Sequence, residues 1–576
     1  MIMSEWVNAF SRGRLVTVIL IFVAWSLVIA GRLVDFQIFR HHEFSTLAAS
    51  IYRVPRPILA PRGVIYDCQK AVLAATVSVR TVIAEPRHMQ DIPDTARQLS
   101  LLLNLDPQAL LSRMANPANR KHLIVKRKID PSLEPSIRRL KLKGVRLMED
   151  SLRVYPGREL ASHTLGFVNA AGNGAAGLEM RYDRELNGKA GEAVDEIDGS
   201  GRSYHREIII PPIPGNSLVL SIDRVIQRLA ESELAAGVKL HRAAAGTAIV
   251  MESATGRILA LANYPDFNCN TYGQYSRERW RNRAIQDQFE PGSTLKVVVA
   301  SAALNAALVR PDEFIDCEGG SIRIGGHTFH DHAPYGLLRF QEILEHSSNI
   351  GAVKLGMRLG ESRLYQSLRT FGFGERTGID LPAEALGRVR EIDQWSALSL
   401  ASISFGQEVA VTSMQILTAI NAIANGGYRV RPSVVDRVLN GDGEPAHVHA
   451  PELIRILDSE TAAAIRDAFE GAVLRGTGQR ASLAGYRVAG KTGTAQKAED
   501  GRFSKTKYLA SFIGFAPLPQ PRVTILVQID EPKGAIYGGE VAAPVFQRIA
   551  QGTLLRLQVP PDRRLLAEAG LAPPQP

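Results

Sequence analysis

Cysteine is scarce in this chain of 576 residues: Cys68, Cys269 and Cys317 are far apart and odd in number. With no Cys-x-x-Cys pair, a zinc ribbon and a disulfide framework are both excluded. Aromatic residues make up only 6%. The basic runs Lys121–Lys128 and Arg138–Lys143 carry no aromatic stacking partner and no nucleic-acid motif, so they read as solvated faces. There is no internal repeat. Hydrophobic residues at 45% and charged residues at 22% exclude bulk disorder and collagen-like or heptad architectures. The net charge of +10 favours anionic surroundings without choosing among lipid, nucleic acid and acidic polymer. The length is too great for one ordinary domain.

Long apolar runs are also lacking, with one exception. Leu15–Gly31 is 17 residues without a charge, with Arg12 and Arg14 before it and Arg32 after. This is just enough to cross a hydrocarbon core of about 30 Å. A soluble helix of this length would show a polar stripe. A cleaved secretory signal is the rival, with Val28-Ile29-Ala30 as a weak site, but the run exceeds the usual signal core. We therefore expect a cytoplasmic tail at 1–14 and a membrane anchor at 15–34. Flanking charge is nearly balanced and gives orientation little support.

After the anchor, Arg53-Val54-Pro55-Arg56-Pro57 reads as extended. A mixed region with two amphipathic helices follows. Prolines 211, 212 and 214 mark a boundary near residue 215. Beyond it, DRVIQRLAESELAAGVKL has helical periodicity. GTAIVMES and GRILALANY are β runs joined around Ala254-Thr255-Gly256. A helix-rich middle runs to about Glu470. Three more β runs, GYRVAGKTGTA, YLASFIGFAP and RVTILVQID, precede a last amphipathic helix, APVFQRIAQGTLLRL. Strands at both ends with helices between predict an α/β domain over 216–557, its antiparallel sheet assembled from both ends. The tail 558–576 is expected to be disordered.

FEPGSTLKVVVASAAL is the sharpest motif. Ser293 opens a helix that is apolar on nearly all sides and so should be central. Lys296, three residues on, shares its face. A serine beside a lysine can be a nucleophile with its base, and a helix N-terminus offers N–H groups to a developing oxyanion. A lone S-x-x-K is equally an N-cap serine with a solvated lysine. Two further elements shift that balance. Ser347-Ser348-Asn349 begins 54 residues after Ser293, and Lys491-Thr492-Gly493-Thr494 begins 144 after Ser347 at the end of a predicted strand. S-x-x-K, S-D-N and K-T-G together mark penicillin-binding proteins and class A β-lactamases, although the middle element here is SSN.

With these motifs the chain resembles class B penicillin-binding proteins, and most closely their division-specific peptidoglycan D,D-transpeptidases. Arg62–Asp67, Arg153-Val154-Tyr155-Pro156, His163 with Gly166, and Gly177-Leu178-Glu179 add to the resemblance. So do RNRAIQDQFEPGSTLK, Ser404–Gln407, Thr412 with Gln415, and Tyr537–Phe546. One departure stands out: Cys68-Gln69-Lys70 follow Asp67 where the family has Arg-Asn/Ser-Gly, which puts local packing in doubt. The Gly and Pro elements of the N-terminal half read as structural, serving turns.

The resemblance implies a five-stranded antiparallel sheet with helices on both sides, behind an elongated α+β pedestal of the dimerisation type at 35–215. It implies acyl transfer from stem peptides ending in D-alanyl-D-alanine. Ser293 is then the nucleophile and Lys296 the base. Burial and a neighbouring Lys491 would hold Lys296 neutral. Ser347 would pass a proton to the leaving amine, and Asn349 would hold the substrate peptide. Gly493 would let a substrate strand approach, while Thr492 and Thr494 would take its terminal carboxylate. The oxyanion would lie between the N–H groups of Ser293 and Thr494. β-Lactams would acylate Ser293. No cofactor is called for. The implied setting is the inner membrane, single-pass, with the N-terminus in the cytoplasm and the catalytic domain in the periplasm at the septum. A polytopic septal glycosyltransferase and other membrane proteins of the division complex would be partners, and nucleic acid would not.

The alternatives are an elongation-specific transpeptidase, a D,D-carboxypeptidase, a β-lactamase and, from another class, a non-catalytic β-lactam sensor. A β-lactamase of class A places a glutamate for deacylation, and no Glu-x-x-Leu-Asn follows Asn349. His327, His330 and His332, with Asp331 and Cys317, are zinc-ligand residue types, but their spacing matches no familiar ligand pattern. They read as a solvated hairpin near the cleft, and no metal is expected.

Overall fold

The computed structural model describes residues 2–198, 203–499 and 502–568. The chain forms two compact units, Met1–Ala60 with Lys189–Ile213, and Pro61–Gly188 with Pro214–Pro576. The expected boundary near 215 is therefore not a simple one. Residues 61–188 belong with the catalytic part because Ile65–Tyr66 runs parallel to Ser217–Leu220, placing both in one sheet.

In the first unit, helix α1 (Ile2–Val34) begins ahead of the expected anchor, with no proline to interrupt residues 2–14. Gly13–Phe39 is long and apolar enough to cross a membrane, with mean hydropathy 2.3. The expected extended stretch is a strand, Arg53–Ile58, antiparallel to Gly191–Ile197. It lies at the sheet edge, where the missing N–H of Pro55 and Pro57 leaves no ladder unmade.

In the second unit, β1 (Ala245–Glu252), β2 (Ile258–Tyr264), β3 (Ala489–Glu499), β4 (Arg502–Ala516) and β5 (Val523–Asp530) form an antiparallel sheet in the order β2-β1-β5-β4-β3. Its inner strands are buried on both faces, which is why they read as unbroken apolar runs. Alternation sends Ala248, Val250, Ile525 and Val527 to one core and Ile249, Met251 and Leu526 to the other. The first core is closed by α2 (Arg224–Leu240) and a C-terminal helix (Ala543–Arg556) through Ile226, Ala230, Val545 and Phe546. The second holds α3 (Lys296–Asn305), α4 (Asn349–Thr370) and α5 (Ser413–Ala424). Residues Lys296–Ala303 are all buried, so α3 is the central helix.

The tail departs from expectation. Arg563–Glu568 is helical, with Leu566 buried and the Asp562 N–H donating to Gly485 O at 2.7 Å. A leucine at this spacing gives the segment an apolar anchor. The rest of the expected disordered tail, 569–576, lies outside the described residues.

Candidate active site

Ser293 sits in a short 3-10 turn, Gly292–Thr294, and the α-helix begins only at Lys296. Ser293 is thus not an N-cap. The turn is held by backbone. Gly292 has φ +54, and its N–H donates to Gly406 O at 3.0 Å. A Cβ on Gly406, itself at φ +92, would stand 2.0 Å from Gly292 O. Only glycine allows this approach. Phe289 bridges to Val411, fixing the segment from the other side.

Lys296 is 1% exposed. Its Nζ donates to Ser347 O at 2.5 Å, Asn349 Oδ1 at 2.7 Å and Ser347 Oγ at 3.3 Å. None of these is a carboxylate. Burial pushes its pKa well below the ordinary lysine range; Lys491 pushes further the same way, and Asp331 opposes. Ser347 adopts φ +62. A side chain there costs roughly 1–2 kcal/mol, and strain of this kind gathers at functional positions.

Asn349 opens α4, and Ser348 caps it by accepting from Gly351 N at 2.9 Å. The Asp331 carboxylate accepts from Ser348 Oγ at 2.7 Å, from Ile350 N at 3.1 Å and from Asn349 N. A carboxylate at a helix N-terminus is favourable. Asn349 Nδ2 donates to His330 O at 2.7 Å. Asp331 is thus committed to positioning the SSN turn. His327 and His330 lie on an exposed hairpin strand, His327–His330. Among the described residues, no three His, Cys, Asp or Glu side chains gather as a metal site.

Lys491 lies on β3 and is fully buried. Its Nζ donates to Thr492 O at 3.3 Å, and burial pushes its pKa down to about 7. Gly493 differs from expectation. A Cβ there would point inward, 2.4 Å from Ser511 Oγ and 3.0 Å from Thr294 Cγ2. Its missing side chain lets the strand lie against the nucleophile turn and does not open room for substrate. Thr492 Oγ1 shares a hydrogen bond of 2.7 Å with Thr477 Oγ1, and Thr494 Oγ1 accepts from Gly538 N at 3.1 Å.

Ser293, Ser347, Asn349, Thr492 and Thr494 line one cleft of about 630 Å³, and Lys296 and Lys491 are buried away from its lining. The sequence reading missed Thr477, Arg480 and Tyr508, which line the same cleft, and His332, placed near the cleft by that reading, lines it too. Gln407 and Tyr537 also line it; their motifs carried the resemblance but had no role assigned.

Residues 246–551 match the penicillin binding protein transpeptidase domain, and residues 57–220 match the penicillin-binding protein dimerisation domain. The peptidoglycan D,D-transpeptidase FtsI of Escherichia coli is 34% identical over 87% of this chain and 84% of its own length. Stage V sporulation protein D of Bacillus subtilis is 34% identical over 96% and 88% respectively. Penicillin binding protein 3 of Mycobacterium tuberculosis, solved with aztreonam, superposes with a TM-score of 0.70 at 30% identity, covering 89% of this chain and 99% of that one. A transpeptidase domain spanning more than half the chain, placed after a dimerisation domain, makes this chain a member of the penicillin-binding protein family of serine transpeptidases.

Proposed function

We propose that this chain cross-links septal peptidoglycan by acyl transfer from D-alanyl-D-alanine stem peptides, and that β-lactams acylate it at Ser293. The observation that carries this reading is Lys296, buried beside Ser347 and Asn349 with no carboxylate among its hydrogen-bond acceptors. A lysine serves as base only when neutral, and burial supplies that state. Ser293 Oγ gives its proton to Lys296 Nζ and attacks the penultimate carbonyl. Ser347 Oγ, within 3.3 Å of Lys296 Nζ, relays the proton to the departing D-alanine amine. The N–H groups of Ser293 and Thr494 take the oxyanion. Asn349 keeps one Nδ2 hydrogen for the substrate peptide, the other going to His330 O. Thr492, Thr494 and Lys491 address the terminal carboxylate.

In this reading the catalytic domain works in the periplasm, with the N-terminus in the cytoplasm, beside a polytopic glycosyltransferase and the other membrane proteins of division. The test has two parts. Ser293→Ala should abolish labelling by fluorescent penicillin while the thermal transition is kept. An adduct mapped by mass spectrometry to another serine sinks the assignment. A fluorescent fusion of the full chain should collect at the septum, and side-wall fluorescence would select the elongation role instead.

A further inference from the structure

A second cavity, of about 110 Å³, lies outside the catalytic cleft and shares no lining residue with it. Arg376, Arg429 and Arg431 line it, with Glu375 and Glu452. Both carboxylates are already engaged: Glu375 with Arg369 at 2.6 Å and Glu452 with Arg431 at 2.9 Å. Arg431 also donates from Nε to Gly378 O, and Arg376 from Nε to Glu384 O. Arg429 has neither a hydrogen-bond acceptor nor an ion-pair partner among the described residues. It is half-buried all the same, and burial lowers its pKa, with Glu375 on the same cavity opposing. A guanidinium taken partly out of water without a counter-charge is unfavourable.

Two glycines shape this cradle. Gly372, at φ +93, would place a Cβ 2.3 Å from Arg429 Nη1, and Gly378, at φ +79, would place one 3.0 Å from Arg431 Nε. Any side chain at either position would displace a guanidinium. The walls thus hold three cations against two carboxylates already spent. We infer that this cavity is a binding site for a small oxyanion, a phosphate or carboxylate group, held by the Arg429 fork with Arg376 and Arg431 at the rim. Planar guanidinium forks match both groups bidentately. The volume admits a single terminal group and excludes a whole lipid.

The test uses the full chain in detergent. Inorganic phosphate and, separately, glutarate are titrated against chloride at matched ionic strength, read by calorimetry and by thermal transition. Saturable binding to the wild type is expected, weakened at least tenfold in Arg429→Met. Arg429→Lys keeps the charge without the fork and should bind between the two. It is also the second variant if Arg429→Met does not fold. Penicillin labelling of each variant confirms its fold. Binding of phosphate alone assigns a phosphate-bearing ligand, of glutarate alone a peptide carboxylate, and of both a general oxyanion site. No binding of either, or binding undiminished in both variants, overturns the inference.

Discussion

Two regions of this chain bury charge in opposite ways. In the N-terminal half, Glu179 is wholly buried and pairs with Arg62 at 2.6 Å and Arg153 at 2.7 Å. Arg62 also reaches Asp183 at 2.8 Å, and Tyr155 donates its hydroxyl to Glu179 at 3.2 Å. In the catalytic cleft, Lys296 and Lys491 are equally buried and pair with no acid within ion-pair distance among the described residues. The first arrangement sets each buried charge against an opposite one. The second pushes both lysines toward the neutral form. A matched buried network holds shape, whereas burial without a counter-charge moves a lysine toward its neutral form.

Substitutions that restore charge where it is avoided, or remove it where it is matched, should break this contrast. The largest effect is expected at Lys296. Arginine does not deprotonate, so Lys296→Arg should lose about 10²–10⁴-fold in acylation rate, the worth of a general base. Lys491→Arg should keep part of the rate, because the role proposed for Lys491 is electrostatic. Stopped-flow acylation by a chromogenic β-lactam measures both, and equal losses would refute this division of labour. At the other region, Glu179→Ala leaves the buried Arg153 guanidinium without its ion-pair partner and Arg62 with Asp183 alone. It should destabilise by about 3–5 kcal/mol, read by urea unfolding, and penicillin labelling per folded molecule should be spared.

The lysines also set a pH dependence. Lys491 titrates near 7 in the fold and near 10.4 when unfolded. Between those values the unfolded chain binds the extra proton, so stability rises with pH across the window. Below pH 7 the folded state is protonated as well and the slope vanishes. From pH 7, where the folded lysine is half-protonated, to pH 9 the wild type should gain about 2 kcal/mol relative to Lys491→Met, the slope approaching about 1.4 kcal/mol per unit. Urea unfolding of both proteins at pH 7, 8 and 9 measures the difference. A flat difference would mean that Lys491 stays charged in the fold.

The sheet was legible in the sequence because strands buried on both faces, such as 245–252 and 523–530, can only be apolar runs. The site was legible because its chemistry lies in three short motifs. Other features were hidden because they depend on residues distant in the chain. Arg62, Arg153 and Glu179 are each ordinary alone, and their motifs read as turns until the three side chains meet. Asp331 stood in a row of histidines and suggested a ligand, yet it caps the helix that carries Asn349. Gly406 and Gly493 are needed because Gly292 and Thr294 approach them, and no spacing in the sequence records such an approach.

The smallest predicted effect concerns the departure at Cys68-Gln69-Lys70. Asp67 turns this loop by accepting from Gln69 N at 2.9 Å and Ala71 N at 2.7 Å through Oδ1, and Lys70 N donates to Asp67 O at 3.0 Å. The turn requires a left-handed residue at 70, and Lys70 adopts φ +61. This is the place where the resemblance implies glycine. The packing put in doubt by the substitution is therefore kept, at a local conformational cost of roughly 1 kcal/mol. Lys70→Gly removes that cost but frees the unfolded chain. The net gain should be a few tenths to about 1 kcal/mol in urea unfolding. Acylation should not change, because Lys70 lines no part of the cleft. Lys70→Ala keeps the Cβ and should give no such gain. If alanine stabilises as much as glycine, the left-handed backbone is not the cause, and loss of the exposed charge is.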